Sequence, residues 1–178
     1  MTEKTPSANE ADSSGLVGIK KRARTLAFGS FSGFLAFGFG SGLLTRAPGT
    51  MGTLAAVPVA VLLAWLDLNG FVFLILTFSI GVWVCNDVTA RLGVEDYGGI
   101  VWDEMVAYWL IVAFIPLHWA WYLAAFIIFR AFDIFKPWPI SQLEKSIDGG
   151  LGIMLDDVLA AAYTILILVF ADFMMVNY

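Results

Sequence analysis

The stretch "GIMLDDVLAAAYTILILVF" (152–170) sets two adjacent aspartates at the mouth of a long apolar run. An ionised carboxylate taken into hydrocarbon costs several kcal/mol or more unless it is paired. The run therefore reads as a membrane helix, and the acids at its start mark a polar site at the membrane edge. The rest of the chain follows the same grammar. Of its 178 residues 60% are hydrophobic, and the mean hydropathy is +0.82, whereas soluble domains are about 45–50% apolar. Runs at 54–66, 71–85 and 158–171 are shorter than the roughly 20 residues of a clean span. They reach that length only with flanking Gly, Thr, Trp and charged residues. The expected fold is an all-α membrane protein, a compact bundle of about five transmembrane helices. The spans are placed at 54–67, 71–86, 101–117, 119–135 and 152–172.

Upstream, residues 1–24 are polar and poor in aromatics, which predicts a disordered cytoplasmic tail closed by the basic flank IKKRAR (19–24). A membrane-embedded domain is expected over 25–178, and the pattern of a secretory leader is not seen. Residues 28–44 (FGSFSGFLAFGFGSGLL) carry five glycines. They read as a re-entrant or interfacial segment, since irregular backbone at membrane depth is tolerated where it lines a cavity.

With IKKRAR in the cytoplasm, this topology puts every Lys and Arg on one side. It collects Asp87, Asp96, Asp103, Glu104, Asp133, Asp148, Asp156 and Asp157 there too, leaving only Asp67 and Asp172 opposite. Asp103–Glu104 and Asp156–Asp157 are expected within the first turn or so of their spans. Arg130 and Asp133, three apart, share a helix face. Acids near a helix N-terminus complement its dipole for about 0.3–1 kcal/mol each. That accounts for one acid per helix, less well for two pairs plus Asp133.

Clustered carboxylates repel one another unless cations join them. Mg2+ is the natural candidate, because it takes one or two carboxylates together with substrate phosphate oxygens. Arg130 can fork two phosphate oxygens and Lys136 can act as a point charge. Pro137 disfavours helix at Lys136 and should end the span there. In TRAPGTMGT (45–53), Gly49 and Gly52 would let backbone amides approach an anion while Thr50 and Thr53 add hydroxyls. The same residues are also ordinary chemistry for starting a helix. Cys85 and Arg91 have the Cys-x5-Arg spacing of cysteine phosphatases, but the intervening loop has no glycine. His118, the one histidine, reads as an interfacial loop residue.

Four stretches carry a resemblance: APGTMGT (47–53), DYGGIVWDEMVAYW (96–109), FRAFDIFKPWPI (129–140) and GGLGIMLDD (149–157). The chain resembles the phosphatidylglycerophosphatase A family, bacterial membrane phosphatases that remove the terminal phosphate of phosphatidylglycerophosphate. The resemblance points to Gly49, Thr50, Gly52 and Thr53, to Asp96, Asp103 and Glu104, and to Arg130, Asp133, Lys136 and Pro137. It also points to Gly150, Gly152, Asp156 and Asp157. It implies a Mg2+-dependent reaction at the cytoplasmic face of the inner membrane, with Asp96, Asp103, Glu104, Asp156 and Asp157 as the metal set. Arg130, Lys136 and the glycine-threonine turn would hold phosphate, and Asp133, Lys136, Asp156 and Asp157 would be catalytic. Asp133 as a phosphorylated nucleophile and direct attack by water both fit. Where some members have histidine this chain has Tyr97 and Asp148, and Ala161 replaces a glycine. Arg46, Asp87 and Arg91 stand outside the pattern. A phospholipid substrate is expected and no nucleic acid. The competing readings are a lipid phosphotransferase and a cation-binding transporter, though the acids sit at one surface and no internal repeat is present.

Overall fold

A computed structural model of the chain describes residues 8–44, 46–68, 70–94, 97–143 and 146–177, with no strand among them. Helix α1 (Ala8–Gly29) leads into a short α2 (Phe31–Ala36) and a 3-10 helix at Gly38–Leu43. Then come α3 (Pro48–Trp65), α4 (Phe71–Leu92), α5 (Trp102–Val112), α6 (Trp119–Phe135), α7 (Ile140–Leu143) and α8 (Gly149–Asn177). Local chemistry explains several boundaries. Pro48 opens α3, where its missing N–H costs nothing. Gly93 closes α4 in the left-handed region (φ 69°), which glycine reaches without strain. His118 caps α6, its Nδ1 accepting from the Ala120 N–H at 3.2 Å.

At the centre stands α5. Met105, Ala107, Tyr108 and Ile111 are fully buried. Trp102 Nε1 donates to the Thr77 carbonyl of α4 at 3.1 Å, and Trp109 Nε1 to Ala56 of α3 at 3.1 Å. Tyr108 donates to the Tyr122 carbonyl of α6 at 2.9 Å. Around this axis α3, α4, α6 and α8 turn apolar side chains outward. Phe71, Val72, Leu76, Leu166 and Phe170 are all exposed, a surface suited to lipid rather than water.

Three helices, α3, α4 and α8, are long and apolar enough to cross a membrane. The expected span 101–117 is not such a helix. Its helical part has 11 residues, about 17 Å at 1.5 Å per residue, and its hydrophobicity serves the protein core. With 17 residues, α6 reaches about 26 Å. The tail expected over 1–24 meets a helix that runs across the expected boundary. Ala23 and Ala27, four apart, are fully buried on one face of α1, so two small residues dock the helix. Residues 28–44 form two short helices, broken where Phe39 (φ 59°) and Gly40 (φ 93°) leave helical geometry. They support the strand of chain before α5: the Val101 N–H donates to the Ala36 carbonyl at 2.9 Å, and Gly42 lies flush on the Gly99 carbonyl.

Glycine sets how closely α4 and α8 cross. A Cβ on Gly150 would land on the Val82 carbonyl oxygen and 2.8 Å from the Asn86 nitrogen, both backbone; one on Gly81 would meet the flexible end of Met154. Overpacking costs about 1–3 kcal/mol where neighbours cannot give. Gly150→Val should therefore lower the melting midpoint in detergent well below that of Gly81→Ala. Equal midpoints would show that the crossing is looser than described.

Candidate active site

Four helix ends meet around a cavity of about 410 Å³. The start of α3 contributes Ala47, Pro48 and Gly49, and the start of α5 contributes Asp103 and Glu104. Arg130, Asp133 and Lys136 come from the end of α6, and Asp156 and Asp157 from α8. Asp103, Glu104 and Asp157 can each bring one oxygen within 4.8 Å of the other two. Asp103 Oδ1, Glu104 Oε2 and Asp157 Oδ2 are buried without a hydrogen-bond partner. Buried carboxylate oxygens rarely stay unpaired, because each forfeits its hydration. Together these three could hold a cation.

The aspartate pair divides. Asp157, 3% exposed, turns to the acids. Asp156 turns to Lys136, whose Nζ donates to Oδ2 at 2.7 Å, while Oδ1 accepts the Asp157 N–H at 3.0 Å. The pair was expected in the first turn of its helix; α8 begins at Gly149, so the pair lies two turns in. The expected span begins at 152, leaving Gly149–Leu151 outside it. They are helical because Gly150 is needed against α4, its N–H donating to Asn86 Oδ1 at 2.6 Å.

Arg130 sits between two acids. Its Nη1 donates to Glu104 Oε1 at 3.3 Å and to Asp133 Oδ2, and its Nε is buried without a partner. Gly49 makes this possible: a Cβ there would overlap Glu104 Oε1 and lie 2.8–2.9 Å from the Arg130 terminal nitrogens. Lys136 ends α6 in the left-handed region (φ 41°, ψ 61°), its N–H donating to the Phe132 carbonyl at 2.8 Å. Pro137 already bars the helical region to Lys136, and a non-glycine residue there is held at a cost on the order of 1 kcal/mol or more.

Other expected residues go elsewhere. Gly52 lets α3 pack on Val101, and Thr53, buried, donates back to the Gly49 carbonyl at 2.9 Å. Neither they nor Thr50 line the cavity. Of the glycine-threonine turn, only Gly49 reaches it. Asp96 lies outside the described residues. Asp87 and Arg91 pair with each other at 3.0 Å, away from the cavity, and Cys85 is buried in α4. Two residues gain a place that the sequence did not give them. Asp148 lines the cavity at its exposed rim, and Asn86 fixes the start of α8. The first was visible as one more acid on the right side; the second had no signal.

In all, Asp103, Glu104, Asp133, Asp148, Asp156 and Asp157 confront Arg130 and Lys136. The cavity is strongly negative. Ile134 brings an apolar side chain to the lining while remaining 64% exposed, and Phe135 and Trp138, close by in the chain, are exposed too.

Residues 34–172 match the family described as Phosphatidylglycerophosphatase A. The Haemophilus influenzae protein named phosphatidylglycerophosphatase A is 50% identical over 138 residues, covering 75% of this chain and 83% of that one. The Escherichia coli protein of the same name is 43% identical over 138 residues, covering 76% and 80%. No solved structure matches. The chain belongs to the phosphatidylglycerophosphatase A family and is a phosphatase.

Gly49→Ala tests the geometry directly. The added methyl displaces Glu104 and Arg130, and displacements of an ångström cost on the order of a hundredfold in rate. Phosphatase activity should fall at least tenfold with the melting midpoint little changed. Full activity in that variant would remove Arg130 and Glu104 from the working site.

Proposed function

We propose that this phosphatase hydrolyses the terminal phosphomonoester of phosphatidylglycerophosphate, releasing phosphate and phosphatidylglycerol, with Mg2+ as its cofactor. The reaction is assigned to the cytoplasmic face of the bacterial inner membrane. The observation that carries the proposal is the trio of buried, unpartnered oxygens on Asp103, Glu104 and Asp157 beside Arg130 and Lys136. Hard carboxylate donors without histidine or thiolate suit Mg2+, which leaves coordination positions for phosphate oxygens. When bound, it supplies charge neutralisation and Lewis acidity.

The remaining work falls to the chain's own groups. Arg130, anchored by Glu104 and Asp133, offers fixed donors to phosphoryl oxygens that gain charge as the bond to the glycerol oxygen breaks. Lys136, paired with Asp156, adds a positive charge to the site. Asp156, held by Lys136, is positioned to take the proton of the attacking water. Asp133 orients Arg130 through Oδ2, which that guanidinium engages; a phosphorylated Asp133 and direct attack by water both fit this arrangement. In the membrane α3, α4 and α8 cross, α6 completes the wall, and α5 fills the interior. The 28–44 segment lies at the interface on the side of the cavity, together with the Lys and Arg residues.

Metal binding is measurable apart from turnover, because a ligand bound only by the folded state raises its stability. Mg2+ should raise the melting midpoint of the wild-type protein and support phosphate release that EDTA abolishes. Asp157→Asn should lose both effects while remaining folded in detergent. Release that persists in EDTA, with melting indifferent to Mg2+, would overturn the metal assignment.

A further inference from the structure

We propose that the groove between α1 and α4 is a headgroup site for an anionic phospholipid, separate from the catalytic cavity. Gly18, Lys21, Arg22, Thr25 and Leu26 recur at helical spacing on one face of α1, and with Arg91 of α4 they line a cavity of about 480 Å³. The helix is fixed in place by Ala23 and Ala27 on its buried face, so the basic face is presented rather than free to roll. Among the described residues no acid lines the groove. With Arg91 paired to Asp87, Lys21 and Arg22 give the groove its net positive charge, which favours an anion.

Arg91 is held ready for that anion. The buried Ser32 hydroxyl donates to Asp87 Oδ2 at 2.5 Å, and Asp87 Oδ1 accepts from Arg91 Nε at 3.0 Å. The pair uses Nε alone, which leaves both terminal nitrogens to fork phosphate oxygens. The surroundings select a lipid rather than a soluble anion. Val17 and Phe28 of α1 and Phe31 of α2 are 67%, 72% and 70% exposed, and exposed apolar side chains on a segment that also carries cations suit the headgroup layer.

The inference stands apart from the reaction, so its test needs no turnover. Full-length protein in detergent is offered phosphatidylglycerol and phosphatidylcholine in equal amounts, and retained lipid is counted by native mass spectrometry. The wild type should prefer phosphatidylglycerol. Near an anionic surface each basic residue contributes an energy equal to about a fivefold preference, so Lys21→Gln/Arg22→Gln should erode the selectivity in that proportion. Adding Arg91→Gln should remove it. Asp157→Asn should keep the wild-type preference even if the phosphatase reading fails. No preference in the wild type, or one unchanged in the basic variants, would overturn the proposal. So would displacement of the lipid by inorganic phosphate alone, which would make this a soluble-anion site.

Discussion

The described structure turns on one short helix, α5, most of whose side chains are buried. In a water-free interior an unsatisfied indole or phenol donor costs several kcal/mol. The donors of Trp102, Trp109 and Tyr108 each find a carbonyl, on α4, α3 and α6 respectively. Those three bonds specify which helices neighbour α5 and at what depth. Because α5 is too short to cross a bilayer, its N-terminus stops within the assembly. Asp103 and Glu104, in its first turn, are thereby delivered to a point that α6 and α8 also reach. The packing of the core and the placing of the site are one problem with one solution.

Charge is handled differently on the two acid-bearing helices. Asp103 and Glu104 have the positive end of the α5 dipole behind them. Asp156 and Asp157 lie beyond the turn over which that effect acts, so α8 offers them little. Asp156 is matched instead by Lys136, and the lysine reaches it from a backbone conformation that few side chains tolerate. A strained residue next to a proline, held against a buried acid, is what a chain tuned for stability alone would avoid.

Much of this was legible beforehand. The apolar runs gave the cores of α3, α4, α6 and α8 to within a few residues, and the acids grouped by the one-sided partition of charge include Asp103, Glu104, Asp133, Asp148, Asp156 and Asp157, which share one cavity, as well as Asp87, which does not line it. What the sequence concealed lies in pairings across long separations. The start of α8 at Gly149, three residues before the expected span, goes with the close approach of Gly150 to Val82 and Asn86 of α4. Gly52 and Thr53 resemble an anion turn until Val101 and the Gly49 carbonyl are seen to occupy them. The run 101–117 was hydrophobic enough for a span, but hydrophobicity alone does not distinguish a helix that faces lipid from one walled in by protein. Ala23 and Ala27, two small residues in a basic stretch, are too faint a signal to announce a docked helix.

The apolar lining at Ile134 bears on how this phosphatase meets a lipid. A cavity rimmed entirely by charge would have to lift its substrate clear of the bilayer. With a greasy sill at Ile134, and Phe135 and Trp138 exposed close by in the chain, a phosphate can slide in sideways while its tails stay among their neighbours. The search is then a walk in a plane. Its pace follows how crowded the leaflet is with substrate and how fluid that leaflet is, and the volume of the cell does not enter.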